Sequence, residues 1–226
     1  MSDRYEYSEK YKTPVFRGAF VRVFDGEDIK DQNGQPTGKT QWGLTAIFEK
    51  GEDTGPLKAA MVDAAKKCWG SKAAEKIKHP KFRNPLKDGG DQVDKDGNLY
   101  AGFEAGQTVC KIATKNQAPG IVDRQVRRIA DAEGKTLVDK ANGLYEVIED
   151  NAVFSGCHFK ATYSAMAYDR PDGFGVSFKL ENLQLVKQGE RLGGGGASKA
   201  EDDFADDVVQ DDGTSGDDLT NLLGAG

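Results

Sequence analysis

GCHFKATYSAMAYDRPDGFGVSFKLENLQLV, residues 156–186, decides how this chain folds. Its period is two. Phe159, Ala161, Tyr163, Ala165 and Ala167 share one side, and His158, Lys160, Thr162, Ser164 and Tyr168 the other. Strict alternation of this kind is the pattern of a half-buried strand. Asp169, Pro171, Asp172 and Gly173 then supply turn chemistry, and residues 174–186 resume as a second strand, so the stretch reads as a β-hairpin.

The same period appears upstream. Residues 13–24, TPVFRGAFVRVF, place Val15, Arg17, Ala19, Val21 and Val23 on one face and Phe16, Gly18, Phe20, Arg22 and Phe24 on the other. Both faces are partly apolar, as in a strand with cover on both sides. Residues 40–48 alternate Trp42, Leu44, Ala46 and Phe48 against Gln41, Gly43, Thr45 and Ile47. The segment between them holds Asp31, Asn33, Gly34, Pro36 and Gly38 and reads as a connection. Residues 108–115 put Cys110 and Ile112 inward and Val109, Lys111 and Lys115 outward.

One segment changes period. Leu57, Ala60, Met61, Ala64, Ala65 and Cys68 recur at helical spacing, with Thr54 as N-cap, Pro56 in the first turn and Gly70 as the stop. Residues 71–77 are compatible with a resumption of the helix. The body is therefore β-rich, with at least five strands and one main helix between the second and third. Glycine, 28 of 226 residues, exceeds the usual share, and glycines inside strands point to the bends a small barrel needs.

Length and 37% hydrophobic content suit a single body that buries about 70% of its unfolded surface without a staple. Three cysteines, Cys68, Cys110 and Cys157, form no C-x-x-C pair and point to a reducing cytosol rather than a disulfide framework. No stretch approaches the roughly 20 apolar residues of a spanning helix, and the polar first twelve residues do not read as a signal peptide. The net charge of −6 is unevenly spread. Residues 197–226 hold one cation against nine anions, whereas residues 1–196 hold 30 cations against 28 anions. The run of four glycines at 193–196 is a linker composition. We expect a folded domain over 1–192 and a disordered acidic tail over 193–226.

Catalytic material is sparse. With two histidines, His79 and His158, there is little from which to build a metal cage or a Ser-His-Asp triad. Cys157 and His158, as strand neighbours, point to opposite faces. Asp88, Asp91, Asp94 and Asp96 lie near glycines but lack the EF-hand spacing, and read as turns before they read as an ion site. No phosphate-cradling glycine motif occurs. We expect no cofactor, no metal and no enzymatic activity.

Basic and aromatic residues are better placed. Arg17 and Arg22 lie on the first strand, Lys111 and Lys115 on a middle strand, Arg124, Arg127 and Arg128 after the Pro119-Gly120 turn, and Lys160 and Lys179 on outward positions of the hairpin. Tyr100, Phe103 and Tyr168 are the aromatics with least reason to be core. Phe16, Phe20, Trp42, Phe48, Phe159, Tyr163 and Phe178 read as core. Cations that track a backbone, with aromatics for bases, are what a single nucleic-acid strand requires. The tail sets Phe204, Val208, Val209, Leu219, Leu222 and Leu223 among its acids, including Asp202, Asp203, Asp206, Asp207, Asp217 and Asp218. A purely solubilising tail needs no such apolar points.

Taken in order, several segments resemble a family of tailed-phage single-stranded-DNA-binding proteins. They are YKTPVFRGAF (11–20), LKAAMVDAAKKCWG (57–70), FRNPLKDG (82–89), PGIVD (119–123), SGCHFKATYSAMAYD (155–169), GVSFKLENLQLVKQGERLGGG (175–195) and EDDF (201–204). The resemblance implies a five-stranded OB-fold barrel with a helix between its central strands and an acidic C-terminal tail. It implies sequence-tolerant binding of single-stranded DNA in phage replication, recombination and repair, in the cytoplasm of a bacterial host. Phage or host replication proteins would be met through the tail, no membrane is involved, and an oligomer is compatible with the sequence. Proteins of this kind often finish in an aromatic, whereas this chain finishes Leu222-Leu223-Gly224-Ala225-Gly226. Two other readings compete. One is a non-enzymatic adaptor whose tail is the working element, and the other a metal-dependent nuclease built on the aspartates of 88–96.

Overall fold

The computed structural model describes residues 4–31, 33–115, 117–126, 128, 136–139, 145–148 and 153–193, all within one unit, Met1–Gly193. Arg127 and the acidic and apolar tail positions (Asp202, Asp203, Phe204, Asp206, Asp207, Asp217, Asp218, Leu222 and Leu223) lie outside the described residues.

Two short strands, β1 (Arg4–Tyr7) and β2 (Tyr11–Lys12), precede two long ones, β3 (Phe16–Lys30) and β4 (Pro36–Phe48). The helices α1 (Gly55–Trp69) and α2 (Ala73–Lys78) follow, then β5 (Lys87–Asp88), β6 (Thr108–Thr114) and β7 (Gly120–Val122). A separate ribbon, β8 (Thr136–Asp139) with β9 (Tyr145–Ile148), comes before the final hairpin of β10 (His158–Arg170) and β11 (Gly173–Lys187).

Five of these strands close on themselves. β3 pairs antiparallel with β4, β4 with β6, and β10 with β11; β6 runs parallel to β11. β10 returns to β3 through Phe16–Phe159 and Arg17–His158. This closed five-stranded order is an OB barrel, and closure removes the exposed edges that an open sheet would present. β2 and β1 continue along the flank of β10 beyond the point where β3 leaves it. Helix α1 buries Leu57, Ala60, Met61, Ala64, Ala65, Cys68 and Trp69 against the barrel. It ends where Gly70 takes a φ of 57° and donates its N–H to Lys66 O. Thr54 stands at the expected N-cap, but its side chain makes no capping bond; it is buried, and its carbonyl accepts from Leu57 N and Lys58 N.

The long β3–β4 arms absorb much of what reads as a connection. The reversal is confined to residues 31–35, where Asp31 Oδ1 accepts from Asn33 N at 2.8 Å and Gln35 N at 2.9 Å. Another difference concerns faces. Val109 and Ile47 alternate outward, yet both are fully buried. They form a second apolar cluster with Ala19 and Phe103 on the barrel's outer side, because the loop before β6 folds over that surface. Ser164, also on the outward register, is buried and hydrogen-bonds to Glu181 Oε1 at 3.4 Å.

Inside, Phe16 packs between Phe48 and Phe159 at ring separations of 5.6 and 6.0 Å. Gly18 has no room for a side chain, since a Cβ there would lie 2.6 Å from the Phe159 ring. Phe159→Ala removes one of the two buried phenylalanine rings at the closing seam. It is expected to cost about 3–5 kcal/mol in urea-induced unfolding; a loss below about 1 kcal/mol would show that the seam does not hold the barrel.

Candidate nucleic-acid interface

A groove of about 490 Å³ crosses the outer face of the barrel, from β1 over β10, β11 and β6 to β4. Cations converge on it from three strands: Lys111 and Lys115 at β6, Lys179 on β11 and Arg170 at the end of β10. Two half-exposed tyrosines of β1, Tyr5 and Tyr7, form its far wall, and Met166, Ser177, Phe178, Gln41 and Thr114 also line it. The floor is low because its residues are small. Ala113 lies opposite Gly43, where an added Cβ would come within 2.6 Å of Ile112 O and 2.7 Å of Ala113 Cβ.

The cations are partly compensated. Lys111 Nζ is 3.0 Å from Glu27 Oε1, and Lys179 Nζ is 3.0 Å from Glu181 Oε1 and 5.9 Å from the centre of the Tyr7 ring. Arg170 lies 4.7 Å from the Tyr168 ring centre and 3.4 Å from Asp172 Oδ1. Lys115 has no ion pair among the described residues. Exposed pairs of this kind are worth about 0–1 kcal/mol each, so an incoming phosphate can replace the carboxylates at little cost.

Of the cations singled out by sequence, Lys111, Lys115 and Lys179 therefore meet in one groove. Arg22 is exposed on β3, opposite Gly43 and thus in register with the groove floor. Arg17 lies further along β3 and donates to Glu190 O at 3.1 Å. Lys160, Arg124 and Arg128 are exposed but do not line the groove. Arg170, Tyr5 and Tyr7 escape the sequence reading. The first sits inside a turn signal, between Asp169 and Pro171, and the tyrosines sit in a charged segment whose strand character comes only from pairing with β10. The densest cationic run also lies elsewhere. Residues 57–87 hold nine cations against Asp63 and Glu75, and none of them lines the groove.

The aromatics need correction. Phe103 is 3% exposed and belongs to the outer apolar cluster, so it does not offer a free ring face. Tyr168 is buried too, beneath Arg170 and close to Gly175. Phe20, which reads as core, is 48% exposed. It has a φ of 50° at a register shift between Ala19 and Arg22, and this bulge turns its side chain out. Tyr100 is 40% exposed and meets the Phe20 ring edge-on at 5.1 Å.

The acidic cluster has a structural use. Asp88 Oδ1 accepts from Gly90 N and Gly106 N, and Asp94 Oδ1 accepts from Asp96 N and Asn98 N. Backbone bonds of this kind, that from Asn98 foremost, hold the Asp94 carboxyl below its usual pKa. All three cysteines are buried, and burial pushes their thiols up, away from the reactive thiolate.

A five-stranded OB barrel with a cationic, tyrosine-walled groove belongs to the class of folds that bind oligonucleotides and oligosaccharides. A family model described as "Enterobacter phage Enc34, ssDNA-binding protein" matches residues 9–214, and the chain belongs to that family. The family is one of DNA-binding proteins, not of enzymes. Among curated proteins, putative protein p50 of Acyrthosiphon pisum secondary endosymbiont phage 1 is 28% identical over 197 residues, covering 85% of this chain and 91% of that protein. Similar solved structures include gp2.5, a single-stranded-DNA-binding protein encoded by bacteriophage T7 (TM-score 0.52, 14% identity, 92% of this chain and 98% of that one). The single-stranded-DNA-binding protein of bacteriophage Enc34 in complex with ssDNA is another (TM-score 0.52, 14% identity, 81% and 89%). At these identities the structural likeness establishes the fold alone. No helix among the described residues is long and apolar enough to cross a membrane.

His158, beside Arg17 at the barrel seam, has its pKa lowered from 6.5, first by burial and then by Lys187 and Arg17. Stability from this group is fully present above about pH 6.5 and is lost as pH falls through the depressed folded value. In an NMR titration His158 is expected to protonate with a midpoint below the ordinary histidine value of about 6.5; a midpoint at or above that value would contradict this placement.

Proposed function

We propose that this protein binds single-stranded DNA, without strong sequence preference, in the groove between Tyr7 and Lys111. The observation that carries the reading is the convergence of Lys111, Lys115, Arg170 and Lys179 with Tyr5 and Tyr7 on one outer face of an OB barrel. Family membership and the fold shared with an ssDNA complex support it. Cations neutralise phosphates and release counterions, while tyrosine rings stack on bases irrespective of their identity. Arg22 extends the charged track. Arg17, Arg124, Arg127, Arg128 and Lys160 are candidates for peripheral phosphate contacts.

In this reading the protein protects single strands during phage DNA replication, recombination and repair in the host cytoplasm. Residues 1–192 act as the DNA-binding domain and residues 193–226 as an acidic appendage. The nine anions of residues 197–226 form a tethered polyanion that competes with DNA for cationic surface at high effective concentration. Its apolar points, Phe204, Leu222 and Leu223 among them, recruit replication proteins.

A salt titration of binding to fluorescent oligothymidine tests both parts. Replacing Lys111, Lys115, Arg170 and Lys179 together by alanine should flatten the log K against log salt slope by about 0.7 for each phosphate that is no longer neutralised. Retention of the full slope would sink the groove. Removing residues 197–226 should tighten binding at low salt, and unchanged binding would end the competing-tail idea.

A further inference from the structure

The groove stops at β4, but the outer face of the barrel does not. Register carries it one strand further. Lys111 on β6 lies opposite Thr45 on β4, which lies opposite Ala19 on β3. One step along, Ala113, Gly43 and Arg22 are aligned in the same way. Between Ala19 and Arg22 the bulge places Phe20. Two strand spacings of about 4.8 Å therefore separate the lysine row of the groove from the Phe20 backbone, on one continuous surface.

The backbone at Phe20 is held in a conformation that favours glycine. A non-glycine residue at a φ of 50° is strained, and it persists where the surroundings enforce it. Regular alternation would put Phe20 on the core side with Phe16 and Gly18. The bulge instead carries a large apolar ring into solvent. There it stacks on buried Phe103 at 5.7 Å with an interplanar angle of 25°, and Tyr100 closes one edge. Phe103 thus backs the shelf and leaves the outward side of the Phe20 ring uncovered. Arg22, exposed in the next row, supplies a cation beside it.

We propose that Phe20, with Tyr100 at its edge, is a second stacking subsite for an unpaired nucleobase. A strand leaving the groove at Lys111 would pass Thr45 and Arg22 and lay a base on Phe20. The inference rests on the reading of the groove as a single-stranded-DNA site and extends it across β4 to β3. The ligand class is set by the shelf's chemistry, a flat, half-exposed apolar ring with a cation in the neighbouring row. It should take any base and discriminate only between base and no base.

The test uses the full chain and two ligands of equal length, an oligothymidine of about 16 nucleotides and an abasic deoxyribose-phosphate oligomer. Phe20→Asn is the main variant, because asparagine tolerates the left-handed backbone and keeps the bulge. Tyr100→Ala is the second, and thermal melting of each establishes that it is folded. Phe20→Asn should bind oligothymidine about tenfold more weakly, bind the abasic oligomer as the parent does, and keep the parent's salt slope. Tyr100→Ala should lose less, in the same ligand-dependent way. Equal affinity of Phe20→Asn and parent for oligothymidine would overturn the subsite, as would an equal loss on both ligands. The alanine variant of the four groove cations separates this failure from failure of the groove. It should lose salt slope on both ligands whether or not Phe20 stacks a base.

Discussion

The seam where β10 meets β3 is only two residue pairs long, and the barrel depends on it. Phe16 and Phe159 face each other there, with Arg17 opposite His158. Gly18 N donates to Cys157 O at 2.9 Å, and Gly156 N donates to Gly18 O at 2.7 Å. Both glycines are demanded by crowding: a Cβ at Gly18 would strike the Phe159 ring, and one at Gly156 would overlap Glu190 O. Each fully buried phenylalanine at such a joint stabilises the fold by roughly 1.5–3 kcal/mol. With the seam made, the outer surface wraps without an edge from β10 to β3, which lets a groove on one set of strands continue onto the next.

Location, not total charge, makes the groove cationic. The residues ahead of the tail carry 30 cations and 28 anions, hardly a polyelectrolyte binder by count. Strand register nonetheless brings cations from β6, β10 and β11 to one concavity and sets Glu27 and Glu181 against two of them. These carboxylates keep the lysines paired when no ligand is bound. Solvent screening leaves each pair weak enough to exchange. The lysines of 57–87 are more numerous but ride on α1, α2 and the chain that follows, away from the groove lining.

The expectations that fail do so for three physical reasons. Sequence neighbours and alternation place Phe103 and Val109 outside, but a loop covering the outer face makes a small second core there. Tyr5 and Tyr7 lie in a charged segment that becomes strand only by pairing with Met166 and Tyr168 of β10. Phe20 follows the core-facing alternation until a bulge reverses it. Each error concerns contacts distant in sequence.

Local patterning is enough for the five barrel strands, the helix that stops at Gly70, the final hairpin and the segregation of acid into the last thirty residues. Period, turn residues and charge are properties of neighbouring positions, so they survive without tertiary context. Which lysines share a groove, which aromatics meet solvent and where the barrel closes are properties of register between strands far apart in the chain. A slip of one residue reverses every face, and the bulge at Phe20 inserts just such a shift, so only the assembled barrel decides them.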